Sequence, residues 1–113
     1  MLSKKNRISN RQLLKKLFGK GKQYKNNNFI FKFLPSIEPI SKFSVVVSKK
    51  VAPNAVDRNK LRRQIYDCIR NNLELLKSDI VVIIIVKSNS IESEYEDLDK
   101  GIKDFFNQNI LHV

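Results

Sequence analysis

The spacing of apolar residues along the chain predicts three helices. Residues 12–18 carry apolar side chains at helical spacing, and the glycines at 19 and 21 end this helix. A longer helix begins after Asn54, an N-cap residue type, and Asp57 supplies a carboxylate near its N-terminus. Its buried stripe consists of Leu61, Ile65, Cys68, Ile69 and Leu76. Residues 94–106 predict a third helix, whose inward side chains are Leu98, Ile102, Phe105 and Phe106.

Three other segments have the patterns of strands. Phenylalanines alternate with Ile30 and Lys32 over residues 29–33, which gives this strand an aromatic face. Residues 43–48 form a second strand after a proline-bracketed loop, and we expect the two to pair antiparallel. Residues 80–86 are β-branched without interruption, which predicts a central strand covered on both faces.

These elements follow the order α-β-β-α-β-α, with room for one further short strand. The pattern predicts a single domain over residues 1–113, an α/β sandwich (α+β) in which helices pack on one sheet. The single cysteine, Cys68, lies among apolar helix positions, so we expect a small buried side chain with no disulfide or zinc role.

The charge of the chain is strongly positive and unevenly distributed. The formal net charge is +11; residues 1–63 hold 17 Lys and Arg against two acids, and residues 64–113 hold five against nine. Such a balance attracts a polyanion to the first half, either nucleic acid or an anionic membrane. The longest apolar run has seven residues, where a spanning helix needs about 20, and no helix has a large enough apolar face for membrane binding. Without a secretory signal, we expect a cytoplasmic protein.

A basic face on the second helix is the strongest functional signal. Arg58, Arg62 and Tyr66 recur at four-residue spacing, and Asn59, Arg63 and Arg70 run beside them. Guanidinium groups match phosphate oxygens bidentately, so a rigid helix with this row suits a folded RNA backbone. A basic face can also be merely solvated, but here it does not alternate with acids. The predicted RNA-binding residues are Lys49, Lys50, Arg58, Asn59, Lys60, Arg62, Arg63, Tyr66 and Arg70.

Residues 47–69 resemble the signature region of the bacterial ribonuclease P protein family. The family pattern is S-K-K, a short spacer and A-V-x-R-N-R-x-K-R, and this chain has S-K-K at 48–50 and A-V-D-R-N-K-L-R-R at 55–63. Weaker matches are Asn6-Arg7-Ile8, residues 14–18, Gly21 and Asp79. The chain departs from the family at Leu14, where an aromatic residue is common, and at Gln64 and Tyr66, where basic residues are frequent.

The resemblance implies a fold, a partner and a substrate. The fold would be α-β-β-β-α-β-α with one mixed sheet and an unusual left-handed crossover. The partner would be a large catalytic RNA, which performs the chemistry with bound Mg²⁺ and meets the basic helix. A cleft between the first helix, the sheet and the signature helix would hold the 5′ leader of precursor tRNA. The leader-cleft candidates are Arg7, Leu14, Tyr24, Phe29, Phe31 and, as the best fit, Phe18.

The residues themselves also argue against a catalytic centre in the protein. The only histidine, His112, is one residue from the C-terminus, and the acids at 92–99 lie where the dipole of the third helix favours them. The resemblance implies an endoribonuclease subunit, and the residues lead us to expect no protein-bound metal, cofactor or small-molecule substrate. The alternatives are a structural RNA-binding protein, such as a ribosomal protein, and a stand-alone metal-dependent nuclease.

Overall fold

The computed structural model describes residues 2–108, whose helices and strands follow the order that the resemblance implied. A short 3-10 turn at Lys4–Asn6 comes first. The main elements are α1 (Arg11–Lys20), β1 (Lys22–Lys25), β2 (Phe29–Pro35), β3 (Lys42–Val46), α2 (Ala55–Asn72), β4 (Ile80–Val86) and α3 (Tyr95–Phe106). Two more 3-10 turns precede and follow β4, at Leu73–Leu75 and Ser88–Glu92. The spacing of apolar residues allowed one further short strand without locating it, and the structure shows that this strand is β1.

The four strands form one mixed sheet in the order β1-β2-β4-β3. Strand β2 is antiparallel to β1 and β4, whereas β3 is parallel to β4. The prediction that β4 is a central strand is confirmed, because it has a neighbour on each side and every residue but Ile85 is buried. The expected antiparallel pair of β2 and β3 is wrong. Strand β4 lies between them, where both of its edges are paired and helices cover its two apolar faces.

The connection from β3 through α2 to β4 has the left-handed sense that the resemblance implied. The side chains of Phe43 and Val45 in β3 point towards α2. Their backbone groups face away from β4, because the Phe43 carbonyl accepts a hydrogen bond from the Ile8 N–H and the Val45 N–H donates one to the Tyr66 hydroxyl. The sheet is viewed from the α2 side with β3 running upwards, so that these two side chains point towards the viewer. In an L-residue oriented in this way, the backbone N–H and C=O point to the right, so β4 lies on the left of β3. A chain that comes forward into α2 and returns to the left makes a left-handed crossover.

The two faces of the sheet are covered to different extents. One face, here called the aromatic face, carries Phe29, Phe31 and Phe33 of β2 and packs against α2 and α3; the Phe31 and Phe105 rings stack with centroids 4.0 Å apart. Among the described residues, the other face, here called the open face, is covered by α1, whose Leu17 is buried against Val81 and Ile83, and by Ile8, which packs against the same cluster. The short α1 leaves part of it accessible, and the half-buried strand residues of this face are Ile30, Lys32, Leu34, Lys42, Ser44, Val46 and Ile85.

The long helix α2 begins where the sequence predicts and is tied to α3 by buried polar groups. The Asn54 side chain accepts from the Val56 N–H at 2.9 Å, as an N-cap does. At the other end, the Asn72 amide donates to the Cys68 carbonyl at 2.7 Å and to the Asp99 carboxylate at 2.8 Å. Cys68 is buried as predicted, and this burial raises the pKa of its thiol to about 11. Leu76 lies beyond the helix end and is only partly buried.

We predict opposite effects on stability for two helical glycines. A Cβ on Gly101 of α3 would lie 2.8 Å from Cε2 of the core residue Phe29, whereas a Cβ on Gly19 of α1 would meet nothing within 4 Å. Gly101→Ala should therefore lower the free energy of unfolding by about 1–3 kcal/mol through overpacking. Gly19→Ala should raise it by up to about 1 kcal/mol, because alanine is the better helix former. Urea denaturation of both variants tests this, and a stabilising Gly101→Ala would contradict the packing.

Candidate RNA interface

The nine predicted RNA-binding residues lie on two consecutive segments of the chain. Lys49 and Lys50 are exposed in the turn that follows β3, and the other seven residues project from α2. On the helix, burial divides the set in two. Asn59, Lys60, Arg63 and Arg70 are exposed, whereas Arg58, Arg62 and Tyr66 are half-buried. The second group has contacts within the protein, which the sequence did not reveal.

Arg58 binds the loop that leads into α2. Its Nη1 donates to the carbonyl oxygens of Ala52 at 2.9 Å and of Pro53 at 2.8 Å. Ala52 is fully buried, so these bonds satisfy loop carbonyls at the edge of the core. Arg58 thus holds the connection between the Lys49–Lys50 turn and the first turn of α2, in addition to any contact with RNA.

Arg62 and Tyr66 are oriented by neighbouring groups. Nη2 of Arg62 donates to Oδ1 of Asn59, one helical turn earlier, which holds the guanidinium beside the exposed Asn59. The Tyr66 hydroxyl accepts from the Val45 N–H at 3.3 Å and so caps the outer edge of β3. The guanidinium carbon of Arg7 lies 5.4 Å from the centre of the Tyr66 ring, a cation–π contact. Tyr66 therefore links α2, β3 and the N-terminal segment.

Arg7 lies beside α2 and β3, whereas Phe18 lies beside β2. It forms a parallel bridge with Phe43 on the outer side of β3, and its Nη2 donates to the Leu2 carbonyl at 3.2 Å. Phe18 instead contacts Lys32 of β2, on the other side of β4. The structure therefore does not bring these two predicted leader-cleft residues together.

Three of the predicted leader-cleft residues lie on the wrong face of the sheet for a cleft beside α1. Phe29 and Phe31 are fully buried on the aromatic face, and Tyr24 is half-buried there, with its ring 5.7 Å from that of Phe105. Their assignment to the cleft is wrong, because α3 covers these rings. Leu14 and Phe18 lie on the other side, where Leu14 is half-buried and Phe18 is 48% exposed.

The open face adds residues that sequence reasoning missed. Nζ of Lys32 lies 5.7 Å from the centre of the Phe18 ring and donates to the Phe18 carbonyl at 3.4 Å. Ile30 and Lys32 project from the same side of β2, and Ile85 and Val46 continue this face across β4 and β3. The alternation of β2 was the available signal: the residues between the phenylalanines must face away from the aromatic core.

The acidic residues near α3 have structural contacts. The Asp97 carboxylate accepts from the Glu94 N–H at 3.3 Å in the first turn, and Asp99 pairs with Lys103 at 2.8 Å. Although partial burial opposes it, hydrogen bonds from Lys103 and Asn72 lower the pKa of Asp99. Within residues 2–108, no group of three or more His, Cys, Asp or Glu side chains could hold a metal ion. His112 lies outside the described residues.

A high isoelectric point with Lys and Arg clustered along one helix is the electrostatic signature of a protein that binds nucleic acid. Over the described residues, no helix is long and apolar enough to cross a membrane. The model of one family, described as Ribonuclease P, matches residues 2–109. The chain belongs to the ribonuclease P protein family, which confirms the resemblance seen in its signature segment.

Individual relatives agree in sequence and in fold. The ribonuclease P protein component of Microcystis aeruginosa is 33% identical over 111 residues, covering 94% of this chain and 92% of that protein. The one from Pseudanabaena sp. is 31% identical over 104 residues, with coverages of 91% and 90%. The structure of the RNase P protein from Thermotoga maritima has a TM-score of 0.81 at 21% identity, covering 89% of this chain and 94% of that one. This similarity supports the α/β sandwich fold.

We predict that Arg58 and Arg63 differ in their effect on stability. Arg58→Ala removes two hydrogen bonds to loop carbonyls and should lower the free energy of unfolding by about 1–3 kcal/mol. Arg63 is exposed on the same helix, and Arg63→Ala should change that free energy by less than about 0.5 kcal/mol. Chemical denaturation followed by circular dichroism measures both. Equal stabilities would show that the Arg58 bonds contribute nothing to the fold.

Proposed function

We propose that this chain is the protein subunit of a ribonuclease P ribonucleoprotein and assists removal of the 5′ leader from precursor tRNA. The observation that carries the proposal is the placement of the exposed basic residues of the family signature on one face of α2, outside the core. Lys60, Arg63 and Arg70 project from that face, so they are available to a partner. The remainder of the signature, through Arg58 and Tyr66, holds the helix and its loop in place.

The partner of α2, in this proposal, is the catalytic RNA. Arginine forks bind phosphate oxygens bidentately, and a guanidinium already held in place loses less side-chain entropy on binding. Arg62 meets this condition through its bond to Asn59. Exposed Lys49 and Lys50 add mobile point charges beside the start of the helix. Together these groups would fix the orientation of the protein on a folded RNA surface.

The substrate leader, in this proposal, lies on the open face beside α1. Phe18 is half exposed there and can stack with a base, while the neighbouring Lys32 can neutralise a phosphate. Single-stranded nucleic acid is commonly held by aromatic platforms in a basic groove, with each stacked base contributing about 1–3 kcal/mol. Leu14 and Ile30 would supply apolar contact around this platform.

We assign the chemistry of cleavage to the RNA, with Mg²⁺ bound to that RNA. The protein residues then bind and orient the two RNA molecules. The carboxylates Asp97 and Asp99 support this division of labour, because they are engaged in the first turn of α3 and in the contact of α3 with α2. A structural RNA-binding protein would explain the charge equally well, but it would not require an exposed aromatic residue on the open face.

Reconstitution tests the proposed function directly. The purified chain, a catalytic ribonuclease P RNA and precursor tRNA are combined at low Mg²⁺, and release of the leader is measured. We expect cleavage that requires both macromolecular components, since the protein neutralises phosphates that otherwise repel one another. Cleavage by the chain alone would indicate a stand-alone nuclease. RNA binding without any stimulation would favour the structural alternative.

Arg63→Ala serves as the assembly variant in that system. It should leave the fold unchanged and weaken binding to the catalytic RNA. The slope of log K against log salt should become shallower by about 0.7–0.9, the change for one lost phosphate contact. Lys77→Ala removes a charge at an exposed position outside the interface and is the matched control. Identical slopes for the two variants would argue against a specific role of α2.

We predict that Phe18 distinguishes precursor tRNA from mature tRNA. Phe18→Ala should weaken binding of precursor tRNA to the reconstituted complex by about 1–3 kcal/mol, the contribution of one stacked base. Binding of mature tRNA, which lacks the leader, and assembly with the catalytic RNA should stay unchanged. Phe31→Leu, a substitution on the aromatic face, controls for altered packing. Equal losses of affinity for precursor and mature tRNA would show that Phe18 does not belong to the leader site.

A further inference from the structure

Residues 2–8, here called the N-terminal strap, bring an arginine to the side of α2. Leu2 is buried in the core of the aromatic face, and the Ile8 N–H donates to the Phe43 carbonyl at 2.9 Å on the outer edge of β3. Between these two anchors, Arg7 forms its parallel bridge with Phe43. Residues paired in this way direct their side chains to the same face of a sheet, so Arg7 points towards α2.

The Arg7 guanidinium is held in place over the side chain of Tyr66. Its carbon lies 5.4 Å from the centre of the Tyr66 ring, and its Nη2 donates to the Leu2 carbonyl at 3.2 Å. The ring is held in turn, because the Tyr66 hydroxyl accepts from the Val45 N–H. A cation that is already fixed loses less side-chain entropy when it binds an anion. Arg7 therefore has the preorganisation that suits a binding residue.

The charge of Arg7 is incompletely compensated by the protein. The ion pairs found among residues 2–108 do not include this arginine. Its Nε is buried without a hydrogen-bond partner in the same part of the chain, and a buried donor without an acceptor destabilises the folded protein. Nη1 makes none of the hydrogen bonds found among the described residues, and the side chain as a whole is half-buried. An anion that reaches Nη1 would supply the missing negative charge.

The position of Arg7 indicates which anion this is. Arg58, Arg62 and Tyr66 recur every four residues of α2, about 6 Å apart along the helix axis. This half-buried row runs beside the outer edge of β3, where Tyr66 reaches the level of Val45. Tyr66 would end the row of cations, because its side chain is uncharged. Arg7 lies on the Tyr66 ring and supplies the next cation, so it faces the same partner as α2.

We propose that Arg7 binds a phosphate of the catalytic RNA and extends the interface of α2 onto the N-terminal strap. This inference rests on the proposed function, because it takes the partner of α2 to be that RNA. Tyr66 is a positioning residue here: it holds the Arg7 guanidinium and acts on RNA through it. Phe18 lies beyond β4 and contacts β2, so the proposed leader site is separate from Arg7. Arg7 variants should weaken assembly and leave the recognition of the leader unchanged.

The test measures how assembly of the chain with a catalytic ribonuclease P RNA depends on salt. Arg7→Gln removes the cation and keeps a polar side chain, and Lys77→Gln removes one exposed charge outside the interface as the matched control. For Arg7→Gln the affinity should fall about tenfold, the effect of one charge-assisted contact. The slope of log K against log salt should become shallower by about 0.7–0.9. Lys77→Gln should match the wild type in both quantities.

Two variants of Tyr66 test its positioning role. Tyr66→Phe keeps the ring beneath Arg7 and removes only the hydroxyl, so the salt slope should stay that of the wild type. Tyr66→Leu removes the ring and should make the slope shallower, as Arg7→Gln does. Combining Tyr66→Leu with Arg7→Gln should change the slope no further, because the two residues act as a unit. Chemical denaturation of each variant identifies losses due to unfolding, which lower the affinity without changing the slope.

Three outcomes would overturn the inference. A wild-type salt slope in Arg7→Gln, whatever its affinity, would mean that Arg7 serves only the fold. Equal changes in Arg7→Gln and Lys77→Gln would mean that only net charge matters. Weaker binding of precursor tRNA relative to mature tRNA, with assembly unchanged, would return Arg7 to the leader site. A wild-type chain that does not assemble with the catalytic RNA at all would instead refute the proposed function, and this inference with it.

Discussion

The requirement to cover both faces of β4 organises this molecule. Seven consecutive β-branched residues form a strand that is stable only in the interior of a sheet with helices on both sides. Strands β2 and β3 therefore flank it, and the chain crosses from β3 to β4 through α2. The aromatic face receives two helices and becomes the main core, while, within the described part of the chain, the open face receives the ten residues of α1 and the side chain of Ile8.

This unequal cover creates the surfaces that RNA can use. Because α2 and α3 bury the aromatic face, α2 turns its arginine row outwards. On the other side, α1 is too short to cover the sheet, and Phe18 stays half exposed beside Lys32. The two surfaces lie on opposite sides of the sheet, so under the proposed function one small domain would contact two RNA molecules at once. A rigid α/β sandwich suits this task, because it fixes the distance and orientation between them.

Several residues serve both the fold and the interface. Arg58 holds the loop before α2, and Tyr66 caps the edge of β3 while it contacts Arg7. At Tyr66, where the resemblance led us to expect a basic residue, the hydroxyl instead accepts a hydrogen bond from the backbone of β3. Under the proposed function, substitution of such a residue would change RNA binding and stability together. Variants of exposed Arg63 separate the two effects more cleanly.

The sequence by itself determined the three helices and the strands β2, β3 and β4, the N-cap at Asn54, the central position of β4 and the basic face of α2. These features depend on local periodicity and capping, which neighbouring residues in the chain specify. Tertiary structure decided that Phe29, Phe31 and Tyr24 belong to the core and that β4 separates β2 from β3. Alternation shows which side chains share a face of a strand, but it does not show which helix will cover that face. That choice depends on packing between residues far apart in the chain, such as Phe31 on Phe105.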